Sequence, residues 1–118
     1  MQIEIQARHF PVTQALRRHI ERRVGMALGS CCRHVKRILV RLSDINGPRG
    51  GNDKRCHLEV ILPGQPAVVV EDTEADLYVA INRAAARAGH AAVRRIGRKR
   101  NISRLRAAVV AVRPEGSA

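Results

Sequence analysis

Aromatic residues are almost missing from this chain of 118 residues: Phe10 and Tyr78 are its only phenylalanine and tyrosine, and it has no tryptophan. The apolar core must therefore consist of aliphatic and alanine side chains. The same shortage argues against a protein that stacks the bases of single-stranded nucleic acid on aromatic rings.

Long apolar segments are missing as well. The first residues, MQIEIQAR, contain no apolar signal core, and the longest clean apolar run covers residues 107–112. Neither a signal peptide nor a membrane span is expected. A basic helix could lie on a membrane surface, but an apolar face made mostly of alanine inserts weakly, which disfavours a membrane partner.

The cysteines do not suggest a disulfide or a metal site. Cys31, Cys32 and Cys56 are an odd number, and an unmatched thiol fits the reducing cytoplasm. No C-x-x-C motif occurs, and adjacent Cys–Cys and Cys–His pairs are poorly spaced for zinc. We therefore expect no metal and no other cofactor, and we assign Cys56 to the core.

Patterns typical of catalysis are also absent. No Ser-His-acid, paired-carboxylate or Cys-His arrangement is visible. Seven of the ten acids are placed at strand ends or helix starts: Asp44, Asp53, Glu59, Glu71, Asp72, Glu74 and Asp76. The glycine-rich segment NGPRGGND (46–53) lacks the spacing of a phosphate-binding loop and reads as a hairpin loop. We expect that the protein is not an enzyme and has no small-molecule substrate.

Positive charge is what the chain has in excess. Its 22 basic and 10 acidic residues give a net charge of +12. This favours nucleic acid as a partner, with an anionic membrane or an acidic protein second. From Leu77 to Pro114 there are ten Arg or Lys residues and no Asp or Glu. Such a segment is typical of an electrostatic binding surface, since ordinary solvated helices mix their charges.

The segment from Asp72 to Arg100 predicts an amphipathic helix. A basic stripe follows steps of three or four residues, at Arg83, Arg87, His90, Arg94 and Arg98. A second, apolar stripe comprises Leu77, Ile81, Ala84, Ala85, Ala88, Ala92 and Ile96. We expect Asp72 or Thr73 to cap this helix and Glu74 and Asp76 to suit its positive end. Tyr78 and Ile81 are assigned to the core.

The other elements give the order β-α-β-β-β-α. Alternation predicts strands at 2–8, 35–45, 54–62 and 67–72, the last three as an antiparallel meander. A first helix begins after the N-cap Thr13, buries Leu16, Ile20 and Val24, and ends at Gly29–Ser30. The predicted fold is α+β, a single four-stranded sheet with two helices on one face.

Residues 1–100 form this one predicted domain. Residues 101–118 are a C-terminal tail that could extend the second helix, add an edge strand or stay loose.

Several separated segments, in the right order, resemble one known family. They are the opening MQIEIQARH, the pattern T-x-A-L-R-x-H-I at residues 13–20, the turn L-P-G at 62–64, and D-L-Y-x-A-I-N at 76–82 followed by a basic helix. Over residues 1–100 the chain is similar to the ribosome hibernation-promoting factors and ribosome-associated inhibitors of bacteria, also called sigma-54 modulation proteins.

This resemblance implies a fold similar to double-stranded-RNA-binding domains. It also implies binding to the small ribosomal subunit near the decoding centre, where the protein would block messenger and transfer RNA. The family's basic positions carry over onto Arg87, Arg94 and Arg98, whereas His90 stands where Arg or Lys is usual.

The chain departs from the family pattern in three ways. Alanines replace leucines at Ala84, Ala88 and Ala92, so the helix must sit closer to the sheet or pack more loosely. The loop at 46–53 is longer than usual, and its Arg49, with Lys54, is a candidate accessory RNA contact. We expect a short form, without the C-terminal dimerisation domain of the long form, which leaves open whether ribosomes are paired or only inactivated singly.

We therefore expect a monomeric, cytoplasmic stress-response protein that inhibits translation by occupying the ribosome. A general structured-RNA binder and a protein-interaction regulator of transcription are the alternatives. The predicted RNA-binding residues are Arg83, Arg87, His90, Arg94, Arg95, Arg98, Lys99 and Arg100 on the second helix, together with Arg18, Arg22 and Arg37.

Overall fold

The computed structural model describes the backbone of residues 2–45 and 53–115, and the side chains of residues 2–45 and 53–97. The elements follow the predicted order. They are β1 (Gln2–Ala7), α1 (Gln14–Leu28), a 3-10 helix (Gly29–His34), β2 (Arg37–Asp44), β3 (Lys54–Ile61), β4 (Val68–Glu74) and α2 (Leu77–Glu115).

The four strands form one mixed sheet in the order β1-β2-β3-β4. β1 runs parallel to β2, because α1 carries the chain back between them, and the other two pairings are antiparallel. The α+β fold and the predicted meander are thus confirmed. The likeness to double-stranded-RNA-binding domains stays a prediction.

Alternation along the strands divides the sheet into two faces. The buried face includes Ile38, Val40 and Leu42 of β2 and Cys56, Leu58 and Val60 of β3, as predicted, and both helices pack on it. The opposite face, here called the open face, carries polar side chains. Its middle row runs in register across all four strands through Gln6, Arg41, His57 and Glu71.

α1 begins and buries its apolar side as predicted. The Thr13 hydroxyl accepts a hydrogen bond from the Leu16 amide at 3.1 Å, which satisfies one of the free N–H groups of the first turn. Leu16, Ile20, Val24 and Leu28 are buried. Gly29 keeps helical angles (φ −60°, ψ −36°), so the chain continues as a 3-10 helix beyond the predicted stop at Gly29–Ser30.

The start of α2 was predicted wrongly. Asp72 and Thr73 belong to β4, where they pair with Cys56 and Arg55 of β3, so neither caps the helix. The cap is Asp76, whose Oδ1 accepts a hydrogen bond from the Tyr78 amide at 2.8 Å. The competing effect is antiparallel pairing with β3, which continues β4 to Glu74 before the chain can turn.

α2 comes very close to α1 at Gly89, beside buried alanines. Ala84, Ala85, Ala88 and Ala92 are buried. A Cβ atom placed at Gly89 would lie 2.6 Å from the carbonyl oxygen of Ala27. This close approach is to α1; whether the alanine-rich stripe brings α2 closer to the sheet or packs more loosely stays a prediction.

Two core assignments on α2 have opposite outcomes. Ile81 is fully buried, as predicted. The assignment of Tyr78 to the core is wrong, because 41% of this residue is exposed. Its ring packs edge-on against His19 of α1, with the ring centres 4.6 Å apart, so it covers the rim of the helix pair.

The backbone of α2 continues through the predicted tail as far as Glu115, which corresponds to the first of the three alternatives for that segment. Residues 116–118 lie outside the described part. No helix in the described residues is long and apolar enough to cross a membrane.

Candidate nucleic-acid interface

The basic stripe lies on the exposed side of α2. Arg83, Arg87, His90 and Arg94 are all exposed, opposite the buried alanines. Arg95 is half-buried and donates a hydrogen bond from Nη1 to the Pro66 carbonyl oxygen at 2.5 Å. This bond ties the middle of α2 to the β3–β4 turn. The side chains of the predicted residues Arg98, Lys99 and Arg100 lie outside the described part.

The β3–β4 turn, whose Pro66 carbonyl accepts the hydrogen bond from Arg95, has the residues typical of a type II turn. Gly64 has a positive φ of 76°, which suits the third position of a type II turn after Pro63. The amide of Gln65 donates to the Leu62 carbonyl at 3.1 Å and closes the turn.

Acidic groups of β4 face the first half of the stripe. The Nε atom of Arg83 lies 3.7 Å from Glu74 Oε2. Arg87 donates to the Glu71 carbonyl oxygen at 2.7 Å, and its guanidinium lies 3.8 Å from Asp72 Oδ2. This part of α2 contains no acidic residue, but Asp72 and Glu74 of β4 lie next to its arginines.

Asp72 and Glu74 lie close together at this edge, since alternate residues of a strand share a face. A hydrogen bond with Asp72 raises the pKa of Glu74, burial acts in the same direction, and Arg83 opposes them. Burial, together with the charge of Asp72, raises the pKa of the Cys56 thiol to about 12. Cys56 is therefore a protonated core residue, as its place in the alternation predicted.

The second half of the described stripe has no such acids. Within residues 2–45 and 53–97, no carboxylate forms an ion pair with Arg94, and His90 has no hydrogen-bonding partner. The two side chains line one open depression together with Val70, Arg87 and Ala91. The uncompensated positive charge of α2 thus begins at the turn around His90.

His90 also borders a groove between the two helices. Arg23 and Met26 of α1 line its other side. Arg23 was not among the predicted site residues, because the crossing that places it opposite His90 joins segments far apart in sequence.

The predicted residues Arg18 and Arg22 are exposed on α1. Nη2 of Arg22 lies 3.5 Å from Nδ1 of His19, at the helix–helix boundary. Both arginines therefore belong to the same helical layer as the basic stripe.

Arg37 lies elsewhere. It points to the open face of the sheet, away from both helices, and forms an ion pair with Glu4 at 3.0 Å. The structure therefore does not bring all predicted residues to one surface. Alternation could have shown this, since Arg37 precedes the buried Ile38 on a strand whose inner face receives the helices.

The predicted accessory contacts at the glycine-rich loop have different outcomes. Arg49 lies outside the described residues. Lys54 pairs with Asp44 at 3.0 Å and with the buried Asp53 at 3.2 Å, and its hydrogen bonds with these acids raise its pKa. Lys54 is thus engaged at the base of the loop.

Among residues 2–45 and 53–97, no group of three or more His, Cys, Asp or Glu side chains is placed to hold a metal ion. On the open face, His57 contacts Glu71 at 2.9 Å and Glu59 at 3.1 Å. The exposed arginines of α2 are suited to electrostatic binding of anions.

Comparisons with solved structures find relatives of this fold. The N-terminal domain of Protein Y from Thermus thermophilus is 31% identical, with a TM-score of 0.60 over 76% of this chain and 93% of that one. A ribosomal subunit interface protein from Coxiella burnetii is 18% identical, with a TM-score of 0.70 over 82% of this chain and 99% of that one, which supports the fold alone. No curated protein sequence matches significantly.

A family profile also matches this chain. It matches residues 3–101, which cover β1 from its second residue, the other three strands and the first part of α2. The resemblance expected from the D-L-Y-x-A-I-N segment and the other motifs is therefore confirmed. The chain belongs to the sigma 54 modulation protein / S30EA ribosomal protein family.

Proposed function

We propose that this chain binds the small ribosomal subunit through ribosomal RNA near the decoding centre. There it blocks messenger and transfer RNA and inhibits translation by occupancy, without chemistry. The observation that carries the proposal is the exposed face of α2 around His90 and Arg94, free of described acids, on a chain of this family.

The rigidity of α2 supports a phosphate-binding role for this face. The helix is held by buried alanines, by the Arg95–Pro66 bond and by the contact of Gly89 with Ala27. Charges on such a rigid helix can follow an RNA backbone and release counterions when they bind. The single exposed tyrosine at the rim offers little surface for base stacking, so shape and phosphate contacts are favoured over sequence readout.

The protein acts as a monomer in the cytoplasm, and its partner is the subunit's RNA. Arg87 and Arg94, which stand at the family's basic positions, contact the RNA, and His90 lies between them. Arg18 and Arg22 extend the surface onto α1.

Co-sedimentation with purified small subunits across a salt series tests this proposal. We expect saturable binding at low salt, with log affinity falling by about 0.9 per neutralised phosphate against log salt. Messenger and transfer RNA placed on the subunit beforehand should compete. Equal binding to unrelated structured RNAs would favour the general RNA binder, and no binding to either would favour the protein-interaction regulator.

A further inference from the structure

A second cluster of arginines lies on the open face of the sheet. Arg8, Arg41 and Arg55 line a depression of about 470 Å³, together with His57 and Glu71. Strand pairing brings them there. Arg41 is in register with His57, Arg55 is in register with Ser43, and the Arg8 amide donates to the Leu42 carbonyl at 2.9 Å. Arg8, Arg41 and Arg55 alternate with inward-facing residues, so their side chains share the outer face.

This cluster keeps a net positive charge. In the described part of the chain, neither Arg8 nor Arg41 has a carboxylate within ion-pair distance. Nε of Arg55 is buried without a hydrogen-bonding partner, and the nearest acid oxygen, on Glu71, is 3.8 Å away. Glu71 is itself hydrogen-bonded to His57, and Glu59 contacts the other side of that imidazole.

Three guanidinium groups around one open depression match the chemistry of a phosphate. Arginine presents a planar set of N–H donors that binds phosphate oxygens in pairs. Membrane lipid is a poorer match, since most of the lining side chains, including the neighbouring Gln6 and Ser43, are polar or charged.

We propose that Arg8, Arg41 and Arg55 bind a backbone phosphate of an RNA segment on the open face. This rests on the proposed function and extends it. The basic stripe of α2 lies in the helical layer on the other side of the sheet. The two surfaces can be occupied together only if RNA lies on both sides of the domain, so the protein is held between two RNA segments.

The experiment compares Arg8→Gln, Arg41→Gln and the double variant with Arg33→Gln in binding to small ribosomal subunits. Arg33 is an exposed arginine just before β2, and the depression lies at the far end of that strand, so this control removes the same charge from another place. We expect the double variant to bind about tenfold or more weakly. Its salt slope should fall by about one for the lost phosphate, and Arg33→Gln should keep the wild-type slope.

Equal affinity and slope for wild type and double variant would overturn the proposal, as would an equal loss in Arg33→Gln. A second measurement separates this result from failure of the proposed function. The arginine Nε–H signals of the full chain are followed by NMR while a short RNA duplex or inorganic phosphate is added.

If wild-type protein does not bind subunits but the duplex shifts the Arg41 and Arg55 signals, the proposed function fails and the RNA site stands. If inorganic phosphate shifts these signals and the duplex does not, the cluster is a small-anion site and the proposal is overturned.

Discussion

The Nε2 atom of His19 on α1 lies 2.7 Å from Oδ1 of Asn82 on α2. An amide oxygen can only accept, so Nε2 carries the proton and Nδ1 is left to accept from Arg22, 3.5 Å away. The two residues are 63 positions apart and belong to two of the segments on which the family resemblance rests. The motifs at residues 13–20 and 76–82 thus meet in one contact between the helices.

Loss of this contact should loosen the helix pair. We expect Asn82→Ala to lower the free energy of unfolding by about 1 kcal/mol, because the half-buried His19 N–H loses its partner. Urea denaturation of Asn82→Ala, His19→Ala and the double variant gives the coupling energy. Arg18→Ala, on the exposed side of α1, should leave stability within about 0.5 kcal/mol. Strictly additive effects of the two substitutions would show that the contact does not stabilise the fold.

The crossing at Gly89 gives a second stability prediction. Alanine is favoured over glycine inside a helix by about 1 kcal/mol. At Gly89 the new Cβ would meet the backbone of Ala27 at 2.6 Å, which cannot move aside as a flexible side chain could. We expect Gly89→Ala to destabilise the protein by about 1–3 kcal/mol in spite of the better propensity.

Gly25 and Gly97 are matched controls for this effect. Both lie in helices, and a Cβ placed at either meets nothing within 4 Å. Gly25→Ala and Gly97→Ala should therefore raise the thermal midpoint. A rise for Gly89→Ala as well would show that α1 and α2 have room to separate.

Local patterns in the sequence were enough to predict the elements and much of the core. The two-residue period of β2 and β3 identified the buried face from Ile38 to Val60, and Thr13 marked the start of α1. The errors occur where distant segments compete with local signals. Pairing with β3 kept Asp72 in a strand, and His19 held Tyr78 at the rim of the helix pair.

The candidate site was less predictable for the same reason. The spacing along α2 predicted which cations share a face. The acids that approach Arg83 and Arg87 come from β4, and the arginine cluster joins Arg41 of β2 and Arg55 of β3 with Arg8, which follows β1. Neither arrangement has a local pattern in the sequence.

The uneven pairing of the basic stripe predicts unequal effects on RNA binding. Arg94→Ala should weaken subunit binding by about tenfold and lower the salt slope by about one, because an uncompensated charge is lost. Arg83→Ala should weaken binding less, since Glu74 lies 3.7 Å from its guanidinium. Glu74→Gln should strengthen binding by up to about fivefold by releasing Arg83 from an exposed ion pair. Equal losses for the two arginines would mean that the acids of β4 do not compete with RNA.

The last prediction concerns pH and His57 on the open face. Burial favours neutral His57, but the hydrogen bonds to Glu59 and Glu71 outweigh it and raise the pKa of the imidazole. The hydrogen bond with His57 lowers the pKa of Glu71, although burial opposes it. A raised pKa in the folded state means that His57 stabilises the fold fully below its ordinary value of 6.5, and that this stabilisation is lost as the pH rises through the folded value.

The stabilisation from Glu71 has the opposite dependence on pH. Its contribution is present above the ordinary value of 4.5 and is lost as the pH falls through the lowered one. The pair should therefore stabilise the protein most between these two limits, around pH 5–6. Urea denaturation of wild type and His57→Gln from pH 4 to 9 measures this, and we expect their difference in unfolding free energy to be largest in that window and to shrink above it. A His57→Gln curve that ran parallel to wild type would show that the ion pairs of His57 do not stabilise the fold.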